Sequence, residues 1–197
     1  MMAQWLYICL IVISICIVVS VLLYYLQDYL LFKPEKTDKY FQYFYENQEV
    51  EEYNVETRDG VLINGLHFKV KQPKGVVLYL KGNSKSMRGW GKFAVDFTRH
   101  DYDVFMIDYR GFGKSTGRRT QKAIKNDLQL IYNKIREKVD EKYIILYGRA
   151  LGSGFATKLA STNQPRMEFK RRAHFIYYRS FVWTIFVVCN PFTLLVI

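Results

Sequence analysis

The sequence predicts an α/β fold, a mostly parallel, doubly wound sheet that follows an N-terminal transmembrane helix. Three observations lead there. The first 27 residues carry no charged side chain. From residue 51 on, apolar runs of strand length alternate with longer segments of helical period, which is the pattern of strand–crossover–strand units. Finally, residues 143–152 read as a buried strand that passes through a sharp turn, Gly148-Arg149-Ala150-Leu151-Gly152, into a helix.

Residues 5–26 are dominated by Ile, Val, Leu, Tyr and Cys. At a rise of ~1.5 Å per residue such a run crosses a ~30 Å hydrocarbon layer. A core helix would show a polar face, and Ser14, Ser20, Cys9 and Cys16 do not make one. A signal peptide would have a basic start and a shorter apolar run. A lipoprotein box needs a small residue before the cysteine, but Ile8 precedes Cys9 and Ile15 precedes Cys16. Residues 1–31 are therefore expected to be a retained single-pass membrane anchor. Lys33, Lys36 and Lys39 follow it and nothing basic precedes it, so the remainder is expected in the cytoplasm.

Residues 32–50 read as a juxtamembrane connector. Its aromatic cluster, Tyr40, Phe41, Tyr43, Phe44 and Tyr45, is expected at head-group level. Strands are expected at 51–57 and 62–70 around the Arg58-Asp59-Gly60 turn, since Asp-Gly is a strong hairpin signal. Residues 75–80 read as a central strand buried on both faces. A helix over 89–100 would place Trp90, Phe93, Ala94 and Phe97 on one side. Residues 103–107 are a further buried strand, and a glycine-rich loop spans 108–117. A helix over 120–139 keeps Ile124, Leu128, Ile131, Ile135 and Val139 at 3–4 spacing. The strand at 143–147 and a helix at 152–161 complete a partial domain, 51–164.

After Gln164-Pro165 the character changes. Residues 165–197 form a divergent tail, polar and basic at 168–172 and uncharged through its last 17 residues, 181–197. The apolar part is at the lower limit for a second membrane-inserting stretch, and Asn190-Pro191 interrupts it. The outer edge of the 143–147 strand is expected to be open or covered only by this tail, an aggregation hazard.

The chain has 197 residues with 29 Lys+Arg against 18 Asp+Glu, a formal charge of +11. That favours anionic partners, and for an anchored chain anionic lipid is the simplest one; an ordinary basic surface accounts for it equally well. Of the three cysteines, Cys9 and Cys16 lie in the span and Cys189 in the tail, so neither a disulfide framework nor a metal cluster is expected. Gly113-Lys114-Ser115 lacks the P-loop pattern, because position 108 is Asp108 where a glycine is required. No nucleic-acid module and no pair of sugar-cleaving carboxylates stands out.

Three segments carry a resemblance: Leu78-Tyr79-Leu80-Lys81-Gly82-Asn83, Asp108-Tyr109-Arg110-Gly111-Phe112-Gly113-Lys114-Ser115, and Gly148-Arg149-Ala150-Leu151-Gly152-Ser153-Gly154. In order and spacing they are similar to the His-Gly-Asn turn, the Asp-Tyr-Arg-Gly-x-Gly loop and the Gly-Arg-Ser-Leu-Gly nucleophile elbow of the α/β-hydrolase superfamily. The branch resembled is the membrane-anchored serine hydrolases of the alpha/beta-hydrolase-domain-containing type. The resemblance covers residues 51–161. It implies the N-terminal half of the hydrolase sheet, an acyl ester or lipid substrate, no cofactor, and an oxyanion hole formed by the backbone N–H groups of Asn83 and Leu151. Lys81 stands where the family usually has histidine.

The nucleophile position is occupied by Ala150, and a methyl group cannot attack a carbonyl. In the family the triad acid and histidine follow later strands, and both are expected to be absent here. None of His67 (on the solvent side of a strand), His100 (a helix-end cap) and His174 (in the tail) reads as a triad base. Ser84, Ser86 and Ser153 lack a base and are weak nucleophiles. The expectation is a hydrolase-family chain that is truncated, with a tail from a shifted frame near 165–167, and catalytically inactive. The alternative is a membrane-anchored non-catalytic protein binding an anionic ligand or lipid. Lys81, Lys85, Arg88, Lys114, Arg118, Arg119 and Arg149 would then line a basic crevice at the C-terminal edge of the sheet.

Overall fold

A computed structural model describes residues 2–171. The chain divides into two units; one contains the N-terminal helix and the other is Phe32–Ile176. His174, Cys189 and the apolar stretch at 181–197 lie outside the described residues.

The helix α1 runs over Met2–Leu31, 30 residues. Its Gln4–Leu31 portion is long and apolar enough to cross a membrane, and none of it is buried. Large apolar side chains point outward all around it. The Ser20 hydroxyl donates to the Cys16 carbonyl at 2.7 Å, which satisfies that polar group within the helix.

The second unit is built on a six-stranded sheet in the order β1-β2-β4-β3-β5-β6. β1 (Glu49–Glu56) and β2 (Leu62–Lys69) form an antiparallel hairpin, with Glu49 opposite Lys69 and Glu56 opposite Leu62. The Thr57 N–H donates to the Val61 carbonyl at 2.9 Å across the turn, and Gly60 supplies the positive φ of 71° that it needs. β2 runs antiparallel to β4 (Asp103–Ile107). β3 (Val76–Leu80), buried at all five residues, runs parallel to β4 and to β5 (Ile144–Arg149).

β6 (Met167–Arg171) pairs parallel with β5, Ile145 opposite Met167 and Arg149 opposite Arg171. The sheet thus continues past residue 147, and the β5 edge is paired along its length. Glu168 and Lys170 alternate with Met167 and Phe169 in this strand. Read for hydrophobicity alone, that alternation resembles a solvated tail.

Helices cover both faces. One face presents Leu66, Phe68, Val77, Tyr79, Val104, Met106, Ile145 and Tyr147 to Met87, Ala94, Trp90, Phe93 and Phe97. The segment expected as one helix over 89–100 is instead α2 (Met87–Trp90), a 3-10 turn (Gly91–Ala94) and α3 (Val95–Thr98). The Tyr45 ring occupies the place where a Cβ on Gly91 would stand, so this breaking of the helix goes with close aromatic packing. On the other side lie α4 (Gln121–Arg136) and α5 (Leu151–Ala160). The Thr120 side chain caps α4 by accepting the Ala123 N–H at 3.2 Å. Ile124, Leu128, Ile131 and Ile135 form its buried face.

Residues 32–48 pack onto this unit. Tyr45 donates its hydroxyl to the Met87 carbonyl at 2.7 Å, and Phe32 is 1% exposed. Of the aromatic cluster, only Tyr40 (91% exposed) and Phe44 (85%) face outward.

Candidate active site

The site is organised by the turn from β5 into α5. Ala150 sits at its tip with φ 51° and ψ −121°, a conformation that L-residues rarely adopt. Such a position stores roughly 1–3 kcal/mol and persists only where its surroundings enforce it. The surroundings do so here. A Cβ on Gly152 would strike the Leu80 carbonyl and come within 2.6 Å of the Lys81 carbonyl. A Cβ on Gly148 would strike the Ser153 backbone. The elbow is therefore pressed against the end of β3, and the two glycines are sterically required.

The same packing brings the β3 turn beside the tip. A Cβ built on Gly82 would lie 3.6 Å from the Ala150 Cβ and 3.1 Å from the Trp90 ring. Asn83 follows Gly82, and Leu151 is the first residue of α5, where backbone N–H groups lack intrahelical acceptors. Two backbone segments thus flank one methyl group. Ser153 is buried and donates its hydroxyl to the Ala150 carbonyl at 2.6 Å, so it is engaged below the tip. Ser86 donates to Glu35 Oε1 at 3.2 Å.

Lys81 lies beneath the turn, 1% exposed. Its Nζ donates to the Lys85 carbonyl at 2.9 Å, sits 3.5 Å from Asp108 Oδ1, and lies 3.8 Å from the Phe112 ring centroid. Asp108 in turn accepts the Met87 N–H at 3.0 Å. Burial pushes the Lys81 ammonium down to about 8 and the Asp108 carboxyl up to about 6, and their mutual attraction opposes both shifts. Only glycine fits at 113, because the Asp108 carboxylate fills the space of a Cβ there. Arg110 grips Asp127 at 2.7 Å through Nη2 and Asp59 at 2.6 Å through Nη1, tying this loop to α4 and to the hairpin turn.

These contacts revise the expected basic crevice. Lys81 is consumed in a buried ion pair. Lys114 is bound to Glu52 at 2.7 Å, and Arg149 stacks 4.3 Å from the Phe93 ring centroid. Lys85, Arg88 and Arg118 remain exposed.

His67, expected to face solvent, is half-buried instead: its Nε2 is 2.8 Å from Asp103 Oδ2 and its ring stacks on Phe105 at 3.9 Å. Burial lowers its pKa, with Asp103 opposing that shift. The reason is register: β2 pairs with β4, which sets His67 opposite Phe105. Asp103 opens β4, whereas Ala150 follows the last residue of β5, so pair and elbow sit at opposite ends of the parallel strands. A five-residue strand at ~3.3 Å per residue keeps them on the order of 15 Å apart. His100 precedes β4 and lies at that same far edge, with its N–H donating to the Phe97 carbonyl at 2.9 Å. Among the described residues no group of three or more His, Cys, Asp or Glu is placed to hold a metal.

The family described as serine aminopeptidase S33 matches residues 71–172, just over half of the chain, with the Gly82 turn, the Asp108 loop, the elbow and β6 all inside the match. The chain belongs to this family of α/β hydrolases. It is 30% identical over 127 residues to the protein bem46 of Schizosaccharomyces pombe, covering 61% of this chain and 42% of that protein. It is 31% identical over 86 residues to the lysophosphatidylserine lipase ABHD12 of Danio rerio, covering 43% of this chain and 22% of the lipase. The crystal structure of the α/β hydrolase GrgF from Penicillium sp. sh18 superposes with a TM-score of 0.55 at 21% identity, over 62% of this chain and 45% of that one. At that identity the likeness shows the fold alone. The chain spans less than half the length of these curated relatives.

Proposed function

We propose that this member of the hydrolase family holds an acyl ester or lipid at its elbow without turning it over. The observation that carries the reading is Ala150, which keeps the strained backbone of a nucleophile position and offers only a methyl group. The N–H groups of Asn83 and Leu151 would polarise an acyl carbonyl lying over that methyl. Neither donor depends on the side chain at 150. Without a nucleophile the polarised carbonyl forms no covalent adduct. A lipid ligand is favoured by the membrane-length helix at the N-terminus, by exposed Tyr40 and Phe44 just after it, and by the formal charge of +11. The lipase name of the Danio rerio relative points the same way. In this reading α1 anchors the chain and the second unit lies in the cytoplasm.

Full-length protein, freed of contaminating hydrolases, is expected to show no covalent labelling by a fluorophosphonate probe. Ala150→Ser is expected to restore no full turnover, since His67 and His100 lie at the wrong edge of the sheet. Labelling of the unaltered chain would overturn the reading.

A further inference from the structure

The segment that follows α1 is bonded to the Gly82–Ser86 turn and to the Gly111–Ser115 loop. The Lys33 N–H donates to the Asn83 carbonyl at 2.9 Å, and Lys33 and Ser84 form a parallel bridge. Two residues on, the Glu35 carbonyl accepts the Gly113 N–H at 2.8 Å, and the Thr37 N–H donates back to the Gly113 carbonyl at 3.2 Å. The Glu35 carboxylate accepts the buried Ser86 hydroxyl at 3.2 Å, and Lys36 Nζ reaches the Ser115 carbonyl at 3.2 Å. Phe32 packs edge-on against Phe112 with centroids 6.3 Å apart. A tether needs only length. Contacts from five of six consecutive residues define a register, as a short strand would.

The loop they hold also has supports of its own. Gly82 is conformationally permissive, and Lys85 sits at φ 59°. Within the turn, the Lys85 carbonyl accepts from Lys81 at 2.9 Å, the Ser84 carbonyl from the Trp90 indole at 2.8 Å, and the Ser86 carbonyl from the Gly89 N–H at 3.0 Å. The Asn83 carbonyl belongs to the peptide that follows the one carrying the Asn83 N–H. Turning the plane that carries the Asn83 carbonyl would break the bond to Lys33.

We propose that residues 32–37 are a positioning strap: they splint the Gly82–Ser86 turn and the Gly111–Ser115 loop together and so hold in place the turn to which Asn83 belongs. The membrane helix and the support of the site are then one continuous piece of chain, because Phe32 is the covalent neighbour of Leu31. The strap rests on the reading of the Gly82 turn as part of the ligand site.

The test is hydrogen exchange on the full chain in detergent micelles, which uses no ligand. Lys33→Pro deletes the one N–H, and amides of 83–90 together with Gly113 are expected to exchange about tenfold faster, the effect of one lost bond. Lys33→Ala keeps the N–H and is expected to match the unaltered chain. Amides of α4 should not change in either variant. A parallel readout is acrylamide quenching of Trp90, with Trp5 and Trp183 replaced by Phe; quenching should rise in Lys33→Pro and not in Lys33→Ala. Should the proline variant fail to fold, Glu35→Ala against Glu35→Gln decides, since only Gln keeps an acceptor for the Ser86 hydroxyl. Equal exchange at 83–90 in Lys33→Pro and the unaltered chain would overturn the strap, as would equal exchange in the two Glu35 variants. Either result leaves the proposed ligand untouched, and failure to bind lipid leaves the strap standing.

Discussion

Lys81 shows how one residue changes meaning when its neighbours are known. In sequence it is a cation in a loop; in the fold it is a buried partner of Asp108. The folded Asp108 holds its proton up to about 6 against an ordinary 3.8, so the pair loses stability as pH rises from roughly 4 to 6. The folded Lys81 releases its proton near 8 against 10.5 when unfolded, so stability returns between roughly 8 and 10.5. The charged pair is therefore least favourable between pH 6 and 8. At pH 7 Lys81→Met is expected to cost about 3–5 kcal/mol, because it strands a buried carboxylate. Adding Asp108→Asn, which keeps an acceptor for the Met87 N–H, is expected to recover most of that loss. Denaturant unfolding of the detergent-solubilised chain at pH 5, 7 and 9 measures both. A double variant no better than the single would argue that the pair is not coupled.

Between elements, the Arg110 fork joins the Asp108 loop to α4 and to the hairpin turn. Its two partners differ in burial: Asp127 is buried and Asp59 is 58% exposed. Asp127→Ala is expected to cost about 3–5 kcal/mol by leaving a buried guanidinium half-paired. Asp59→Ala should cost far less, because solvent screens that contact. Arg110 holds the Asp59 carboxyl well below its usual range, so whatever stability it adds is present above pH 4 and is lost only in acid. Thermal unfolding of the two variants ranks them, and equal losses would contradict the burial argument. Element types were readable here, because hydrophobic period and capping are local: β4 lies at 103–107 as expected, and α4 starts behind Thr120 but ends at Arg136, short of the expected Val139. The break after Trp90 was not readable, because it goes with the packing of Tyr45, 46 residues earlier, against Gly91. β6 was missed for a related reason: a polar edge strand is defined by its partner, β5, more than by its own composition.

For the whole molecule, the prediction concerns the membrane. Basic residues follow the apolar helix and none precedes it, so protease added outside intact cells is expected to leave the chain after Lys33 intact. Cleavage in that region without permeabilisation would reverse the orientation. Alkaline carbonate washing should leave the protein in the membrane pellet, as expected for an apolar helix of 28 residues.

The sequence by itself determined the apolar N-terminal helix, the alternation that yields an α/β sheet, and the elbow with alanine at its tip. Each of these depends on residues within one element or one turn: uncharged length, the spacing of apolar side chains, and glycines two positions either side of Ala150. The tertiary structure decided everything that depends on residues far apart in the chain. It alone seated Gly82 beside the Ala150 methyl, paired Lys81 with Asp108, and carried His67 to Asp103 at the edge away from the elbow. It also bonded the connector after the helix to the Gly82 turn, since the Lys33 N–H meets the Asn83 carbonyl only once the sheet has brought the two together.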